Sequence, residues 1–301
     1  MKLTILGCHS ATPRINTNPT SQVLEINNHI FLIDCGEGTQ VELRRNKVKF
    51  NRIKHIFISH LHGDHYFGLI GLISTFRLLT RETELHIYAP KGLKELVTLQ
   101  MKLANSWTNY QLIFHELTSH EPELIFEDEK VAVYTIPLDH RIYTNGFLFK
   151  EKPGLRKLDM NAAIEADIDM AYFNKLKQGF DVENNKGKLV KNETVTKDPP
   201  EPRSYAFCSD TAYNEKLVNN ILGVTALYHE ATFLEKHEKL TIPTKHSTAK
   251  QAASIAKQAN VGTLILGHFS TRYDNLDLFK EEAQTVFKHV ELAKDGKVFS
   301  F

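Results

Sequence analysis

Short apolar stretches rich in β-branched residues recur along the chain and read as strands: Leu3–Leu6, Val23–Ile26, Ile30–Asp34, His55–Ser59, His86–Ala89, Val131–Ile136, Tyr205–Ser209, Leu227–His229 and Leu264–Gly267. Between them, apolar residues repeat at three and four positions over Phe67–Leu79, Leu93–Leu103, Asn214–Leu222, Ala249–Gln258 and Leu276–Phe287, the spacing of helices that bury one face. The alternation predicts an α/β protein whose sheets are covered by helices. From about Lys150 to Arg203 the rhythm fails. Asn184-Asn185, Lys186-Gly187-Lys188 and Asp198-Pro199-Pro200-Glu201-Pro202 fall there, and the stretch reads as an inserted arm rather than core. No repeat or linker divides the chain, so residues 1–301 are expected to form a single domain carrying that arm.

Composition narrows the partners more than the fold. A length of 301 residues, 42% hydrophobic and 24% charged, suits an ordinary globular protein. With 37 basic and 36 acidic side chains the net charge is +1, so contact with nucleic acid has to come from a local patch. Cys8, Cys35 and Cys208 are odd in number and far apart, which argues against a secreted disulfide framework and for a reducing cytoplasm. No signal-peptide pattern opens the chain, and no apolar run approaches the ~20 residues that span a bilayer.

Chemistry concentrates in Ser59-His60-Leu61-His62-Gly63-Asp64-His65, which closes a strand and opens a helical run. Imidazole nitrogens and a carboxylate are the donors zinc prefers, at ~2 Å. In an extended segment His60 and His62 point the same way, and a turn at Gly63 swings Asp64 and His65 to a second position. The pattern therefore suits two adjacent metals. Further donors stand at later strand ends: His140, Asp210 and His268. Taken alone, each reads as readily as a turn or capping residue; with the first cluster they complete a ligand set.

Gly7-Cys8-His9-Ser10-Ala11-Thr12-Pro13, Ile33-Asp34-Cys35-Gly36-Glu37-Gly38-Thr39-Gln40, the histidine cluster, Leu138-Asp139-His140-Arg141, Ser209-Asp210-Thr211, His229-Glu230-Ala231-Thr232, His246-Ser247-Thr248 and Gly267-His268-Phe269-Ser270-Thr271-Arg272-Tyr273 follow one another in order. Over nearly its whole length the sequence resembles the ribonuclease Z family of the metallo-β-lactamase superfamily. The resemblance implies a four-layer αβ/βα sandwich and two zinc ions per subunit. His60, His62 and His140 would hold one ion, Asp64, His65 and His268 the other, with Asp210 between them. It also implies endonucleolytic removal of the 3′ trailer from precursor tRNA by a metal-bridged hydroxide, leaving a 3′-hydroxyl, and commonly a homodimer.

Zinc ligands do not define the substrate. The segments around Glu230 and His246 resemble a pair found together in tRNA-processing members, in which Glu230 would charge His246 and His246 would protonate the departing 3′ oxygen. Asp64 would also accept a proton from the attacking water. The plainer reading of Glu230 and His246 is a buried ion pair. Ser270, Thr271 and Arg272 offer hydroxyls and a guanidinium suited to phosphate, or form a polar turn. Gly36-Glu37-Gly38 lacks a Walker lysine and reads as a tight turn.

In the family an arm, the exosite, grips the tRNA elbow. The matching insertion here is roughly 150–197, and from Tyr172 to Lys197 its Lys175, Lys177, Lys186, Lys188, Lys191 and Lys197 outnumber Asp181, Glu183 and Glu193. Such a patch recruits folded RNA through its phosphates; an ordinary solvated loop is the alternative. Asp169-Met170-Ala171-Tyr172 stands where many relatives carry a Gly-Pro turn. Two rival functions remain: a small-molecule phosphodiesterase or hydrolase of the same fold, and a non-catalytic RNA-binding or scaffold protein.

Overall fold

Along the first strands, neighbouring side chains go to opposite sides. Leu3, Ile5, Leu24, Phe31, Ile33, Phe57 and Tyr88 enter one apolar cluster, while Leu6, Val23, Ile30, Leu32, Ile56 and Ile87 enter another. A period of two that is apolar on both faces describes a sheet covered on both sides. The computed structural model describes residues 1–301 and shows that sheet. Its strands are Lys2–Gly7 (β1), Ser21–Ile26 (β2), His29–Ile33 (β3), Ile53–Phe57 (β4), Leu85–Pro90 (β5), Leu112–Leu117 (β6) and, from the far end of the chain, Val298–Ser300 (β18), in the order β18-β1-β2-β3-β4-β5-β6.

A second seven-stranded sheet has the order β17-β16-β15-β14-β9-β8-β7. It contains Leu124–Glu127 (β7), Val131–Pro137 (β8), Asn145–Glu151 (β9), Ser204–Cys208 (β14), Ala226–Glu230 (β15), Thr263–Gly267 (β16) and Val290–Leu292 (β17). Aromatic rings close the space between the sheets: Phe31 meets Phe149 at 5.3 Å and Phe57 meets Phe147 at 5.4 Å between centroids. Burying rings of this size supplies a large share of the folding drive, about 1.5–3 kcal/mol each. Leu93, Val97 and Met101 seat one helix, Leu93–Leu103, on the outer face of the first sheet beside Leu69–Leu78. Ala249, Ala252, Ala253 and Ala256 let the helix Ala249–Gln258 pack closely against the second, with Asp277–Gln284 alongside. Helix, sheet, sheet, helix is the four-layer αβ/βα sandwich.

Within each sheet four consecutive strands run parallel, β3 to β6 and β14 to β17. Their carboxyl ends carry the loops that matter below, as open α/β sheets commonly do. The expected helix Phe67–Leu79 spans Leu69–Leu78, and a short helix, Gly63–Tyr66, precedes it across a break at Phe67-Gly68. A Cβ on Gly68 would lie 2.1 Å from the carbonyl oxygen of Gly36, so the break is a close crossing of backbones that only glycine permits. Asn214–Leu222 shortens to Leu217–Asn220, and Thr39–Arg45 is a helix the apolar spacing did not reveal.

Residues 151–202 form a unit of their own. Lys157–Leu158 (β10) pairs with Thr196–Lys197 (β13), and Val182–Glu183 (β11) with Leu189–Val190 (β12). Ala163, Ile168, Leu176, Val182 and Val195 make a small core there. The stretch that reads as a polar arm thus carries an apolar nucleus, too sparse to register as a periodic pattern. Asp169 accepts a hydrogen bond from the Ala171 nitrogen at 2.8 Å and starts the turn Met170–Tyr172 without glycine or proline. No helix of the structure is long and apolar enough to cross a membrane.

Candidate metal centre

Strand β4 delivers His60 to the edge of the sandwich, and the turn at Gly63 follows. A Cβ at Gly63 would fall 2.1 Å from the ring of the half-exposed Phe67, which would have to swing aside. The chain then divides its ligands between two positions. At the first, His60 Nε2 stands 3.0 Å from His62 Nδ1 and 3.6 Å from Asp210 Oδ2, with His140 Nε2 at 3.3 Å from His62 Nδ1 and 3.8 Å from Asp210 Oδ2. At the second, His65 Nε2 is 3.4 Å from Asp64 Oδ2 and 3.3 Å from Asp210 Oδ1, and His268 Nε2 is 3.5 and 3.2 Å from the same two oxygens. Asp210 turns one oxygen to each group.

Ligands ~2.1 Å from a tetrahedral zinc lie about 3.4 Å from one another, the spacing found in both groups. A second observation agrees. The Nε2 atoms of His65 and His268 are buried and lack a hydrogen-bond partner, which is costly unless a cation takes the lone pair. The donor set therefore fits two divalent cations bridged by Asp210.

In four of the five histidines, His60, His65, His140 and His268, the opposite ring nitrogen is tethered, which fixes the tautomer. His65 Nδ1 donates to Asp34 Oδ2 at 2.7 Å, and Asp34 is itself held by the Ser59 nitrogen at 2.7 Å and hydroxyl at 2.8 Å. That hydroxyl accepts from His60 Nδ1 at 3.0 Å. His140 Nδ1 donates to the Lys245 carbonyl at 2.9 Å. His268 Nδ1 donates to the Thr232 hydroxyl at 2.9 Å, which donates to Glu230 Oε2 at 2.7 Å. Burial pushes His60 well below the usual histidine range and lowers His140, leaving both neutral as ligands must be. Burial also opposes the charge on Asp210, but the surrounding His268, His65 and His60 outweigh it and hold that carboxyl well below its ordinary value.

Glu230 and His246 meet beside this centre. His246 Nδ1 donates to Glu230 Oε1 at 2.7 Å, and Glu230 is anchored by the Thr211 nitrogen at 2.9 Å and the Thr232 nitrogen at 3.0 Å. Burial lowers the His246 pKa, yet the Glu230 charge and hydrogen bond prevail and raise it to about 9. The His246 ring stacks on His268 at 5.3 Å, and a ring nitrogen lies within 4.8 Å of donor atoms of Asp210 and His268. An imidazolium thus stands beside the ligands Asp210 and His268.

Ser270 and Thr271 are partly exposed just beyond His268, and Arg272 is exposed with no ion pair. Lys175 and Lys177 belong to the unit 151–202, where Lys175 lies over the Tyr172 ring at 5.6 Å. Asp34, Ser59 and Thr232, which orient the ligands, carry no role in the sequence reading. A carboxylate directly after an apolar strand was the available signal for Asp34.

Paired sheets with clustered histidine and aspartate donors at their edge place the protein among the hydrolases of metallo-β-lactamase fold. A metallo-β-lactamase fold protein from Bacillus subtilis superposes with a TM-score of 0.69 at 18% identity, over 99% of this chain and 98% of that one. The short form of human tRNase Z superposes with a TM-score of 0.72 at 27% identity, over 100% of this chain and 99% of that one. Ribonuclease Z of Bacteroides fragilis is 44% identical over 299 residues, 99% of this chain and 98% of the relative. That of Cytophaga hutchinsonii is 45% identical over 300 residues, 99% of this chain and 95% of the relative. The family described as Anti-Pycsar protein Apyc1 matches residues 1–171. By these matches the chain belongs to the Apyc1 family over residues 1–171 and, over nearly its full length, to the ribonuclease Z family.

Proposed function

We propose that the protein is a zinc-dependent endoribonuclease that cuts the 3′ trailer from precursor tRNA and leaves a 3′-hydroxyl on the tRNA. The observation that carries this reading is the Glu230–His246 pair at 2.7 Å, set beside the seven-ligand centre in a chain of the ribonuclease Z family. Two zinc ions, when bound, acidify a water and neutralise the phosphate. His60, His62 and His140 would hold one, Asp64, His65 and His268 the other, with Asp210 offering an oxygen to each group.

The chain's own groups do the rest. His246, kept charged by Glu230, gives a proton to the departing 3′ oxygen. Asp64, beside His268, accepts the proton of the attacking water. Ser270, Thr271 and Arg272, directly after a ligand, grip a phosphate of the acceptor end. Residues 151–202 serve as the arm of a single catalytic domain. Their exposed Lys175, Lys186, Lys188, Lys191 and Lys197, with Lys177, take hold of tRNA phosphates. The enzyme works in the cytoplasm as a homodimer.

The test is incubation of the zinc-loaded protein with a precursor tRNA bearing a 3′ trailer. A mature-length RNA ending in a 3′-hydroxyl is expected. Intact precursors across several tRNAs, with rapid hydrolysis of a small phosphodiester, would assign the protein to small-molecule chemistry instead.

A further inference from the structure

A second set of metal-binding donors lies away from the seven-ligand centre. Cys8 Sγ is 3.8 Å from His9 Nδ1 and 3.4 Å from Asp295 Oδ1, and the three donor atoms lie within 4.8 Å of one another. A tetrahedral cation with bonds of about 2.3 Å to sulfur and about 2.1 Å to nitrogen or oxygen separates such donors by about 3.6 Å. The observed spacings bracket that value. Cys8 and His9 are buried, and His9 and Asp295 border a cavity of about 740 Å³ that admits solvent as a fourth ligand.

The Cys8 thiol donates a hydrogen bond to Asp295 Oδ1, and that proton is the one a cation would replace. Asp295 Oδ2 is already occupied by the Asn18 nitrogen at 2.8 Å and its side-chain amide at 3.0 Å, which leaves Oδ1 for the cysteine side. Cys35 and Cys208 are equally buried but belong to no donor group.

We propose that Cys8, His9 and Asp295 form a separate site for a thiolate-preferring divalent cation of the zinc class. Binding releases the thiol proton to solvent, and the cation takes its place between sulfur and carboxylate. Sulfur in the set disfavours magnesium and calcium. The site ties three pieces of chain together: the loop after β1, the turn before β18, and the segment that follows His268. The last link is direct, because the Phe269 nitrogen donates to the Cys8 carbonyl at 3.2 Å and the Ser10 nitrogen to the Phe269 carbonyl at 3.1 Å. Occupancy therefore stiffens the backbone that presents His268.

Cobalt(II) supplies a readout independent of nuclease activity. The seven-ligand centre has only nitrogen and oxygen donors, so a near-ultraviolet thiolate-to-cobalt charge-transfer band can arise only from a cysteine. The full-length apoprotein titrated with cobalt should develop the visible bands of the histidine centre and then the thiolate band with one further equivalent. Cys8→Ser should abolish that band and lower bound cobalt by one equivalent. If Cys8→Ser does not fold, His9→Ala and Asp295→Asn should each weaken the band's appearance at least tenfold. Absence of the band at saturating cobalt, its persistence in Cys8→Ser, or its full strength in both other variants would overturn the proposal.

Discussion

Asp34 makes no contact with a metal position, yet its replacement by asparagine should cost the centre one of its cations. The change is nearly isosteric, and asparagine tolerates the left-handed backbone that Asp34 adopts, with φ of +55°. Only the pattern of acceptors alters. Asp34 receives three hydrogen bonds at 2.7, 2.7 and 2.8 Å, from His65 Nδ1, the Ser59 nitrogen and the Ser59 hydroxyl. An asparagine that keeps its oxygen on the Ser59 nitrogen turns its NH2 toward His65 Nδ1. The ring must then carry its hydrogen on Nε2, the atom that faces Asp64 and Asp210. If the amide flips, its NH2 meets the Ser59 N–H, and a buried donor is left unpaired at a cost of about 1–3 kcal/mol. Loss of such an orienting partner typically weakens metal binding ~10–100-fold, or about 1.4–2.8 kcal/mol. In a Cys8→Ser background, which removes the separate thiolate site, competition against a chromogenic chelator should resolve two zinc affinities, of which Asp34→Asn lowers one by that factor. The other should change less, because His140 is oriented by the Lys245 carbonyl and not by Asp34. A folded Asp34→Asn protein with both zinc affinities unchanged would refute the reasoning.

Three further outcomes are expected. His246→Ala should slow single-turnover cleavage of precursor tRNA by ~10²–10⁴-fold while zinc content stays at the wild-type value, and an unchanged rate would remove the proton-donor role. Replacing residues 151–202 by a short glycine-serine loop should raise the KM for tRNA at least tenfold and flatten its salt dependence, with little effect on a small chromogenic phosphodiester; equal losses on both substrates would remove the recruiting role. Thr248→Ala breaks a capping box in which the Thr248 hydroxyl accepts from the Gln251 nitrogen at 3.1 Å and the Gln251 side chain accepts from the Thr248 nitrogen at 2.9 Å. Calorimetry should register about 1 kcal/mol of lost stability, and no change in Tm would mean the box is dispensable.

The histidine run was readable because its geometry is local: two positions apart on an extended chain, then a glycine turn, decides which donors pair. His140, Asp210 and His268 are different in kind, since only the pairing order of distant strands brings them to one edge. Their places at strand ends made them candidates, and resemblance to a family divided them between the two positions. The outermost strands Val290–Leu292 and Val298–Ser300 escaped because three residues cannot display a period. Leu112–Leu117 escaped because its half-buried positions blur the alternation. The core of residues 151–202 escaped for a related reason, being five apolar side chains scattered over a polar stretch.

One feature of the backbone joins these observations. Asp34, Asp210 and His268 all take left-handed conformations, with φ of +55°, +59° and +57°, and each lies just beyond a parallel strand: β3, β14 and β16. Such a conformation costs a non-glycine residue roughly 1–2 kcal/mol, and it turns the chain sharply where the ladder of hydrogen bonds ends. Two of the three residues are candidate ligands and the third orients His65 from behind. The sheets, buried on both faces and locked by Phe31, Phe57, Phe147 and Phe149, are stiff enough to hold all three turns at once. Strain at the strand ends is thus opposed by packing in the middle, and the fold itself holds the turns that set Asp34, Asp210 and His268.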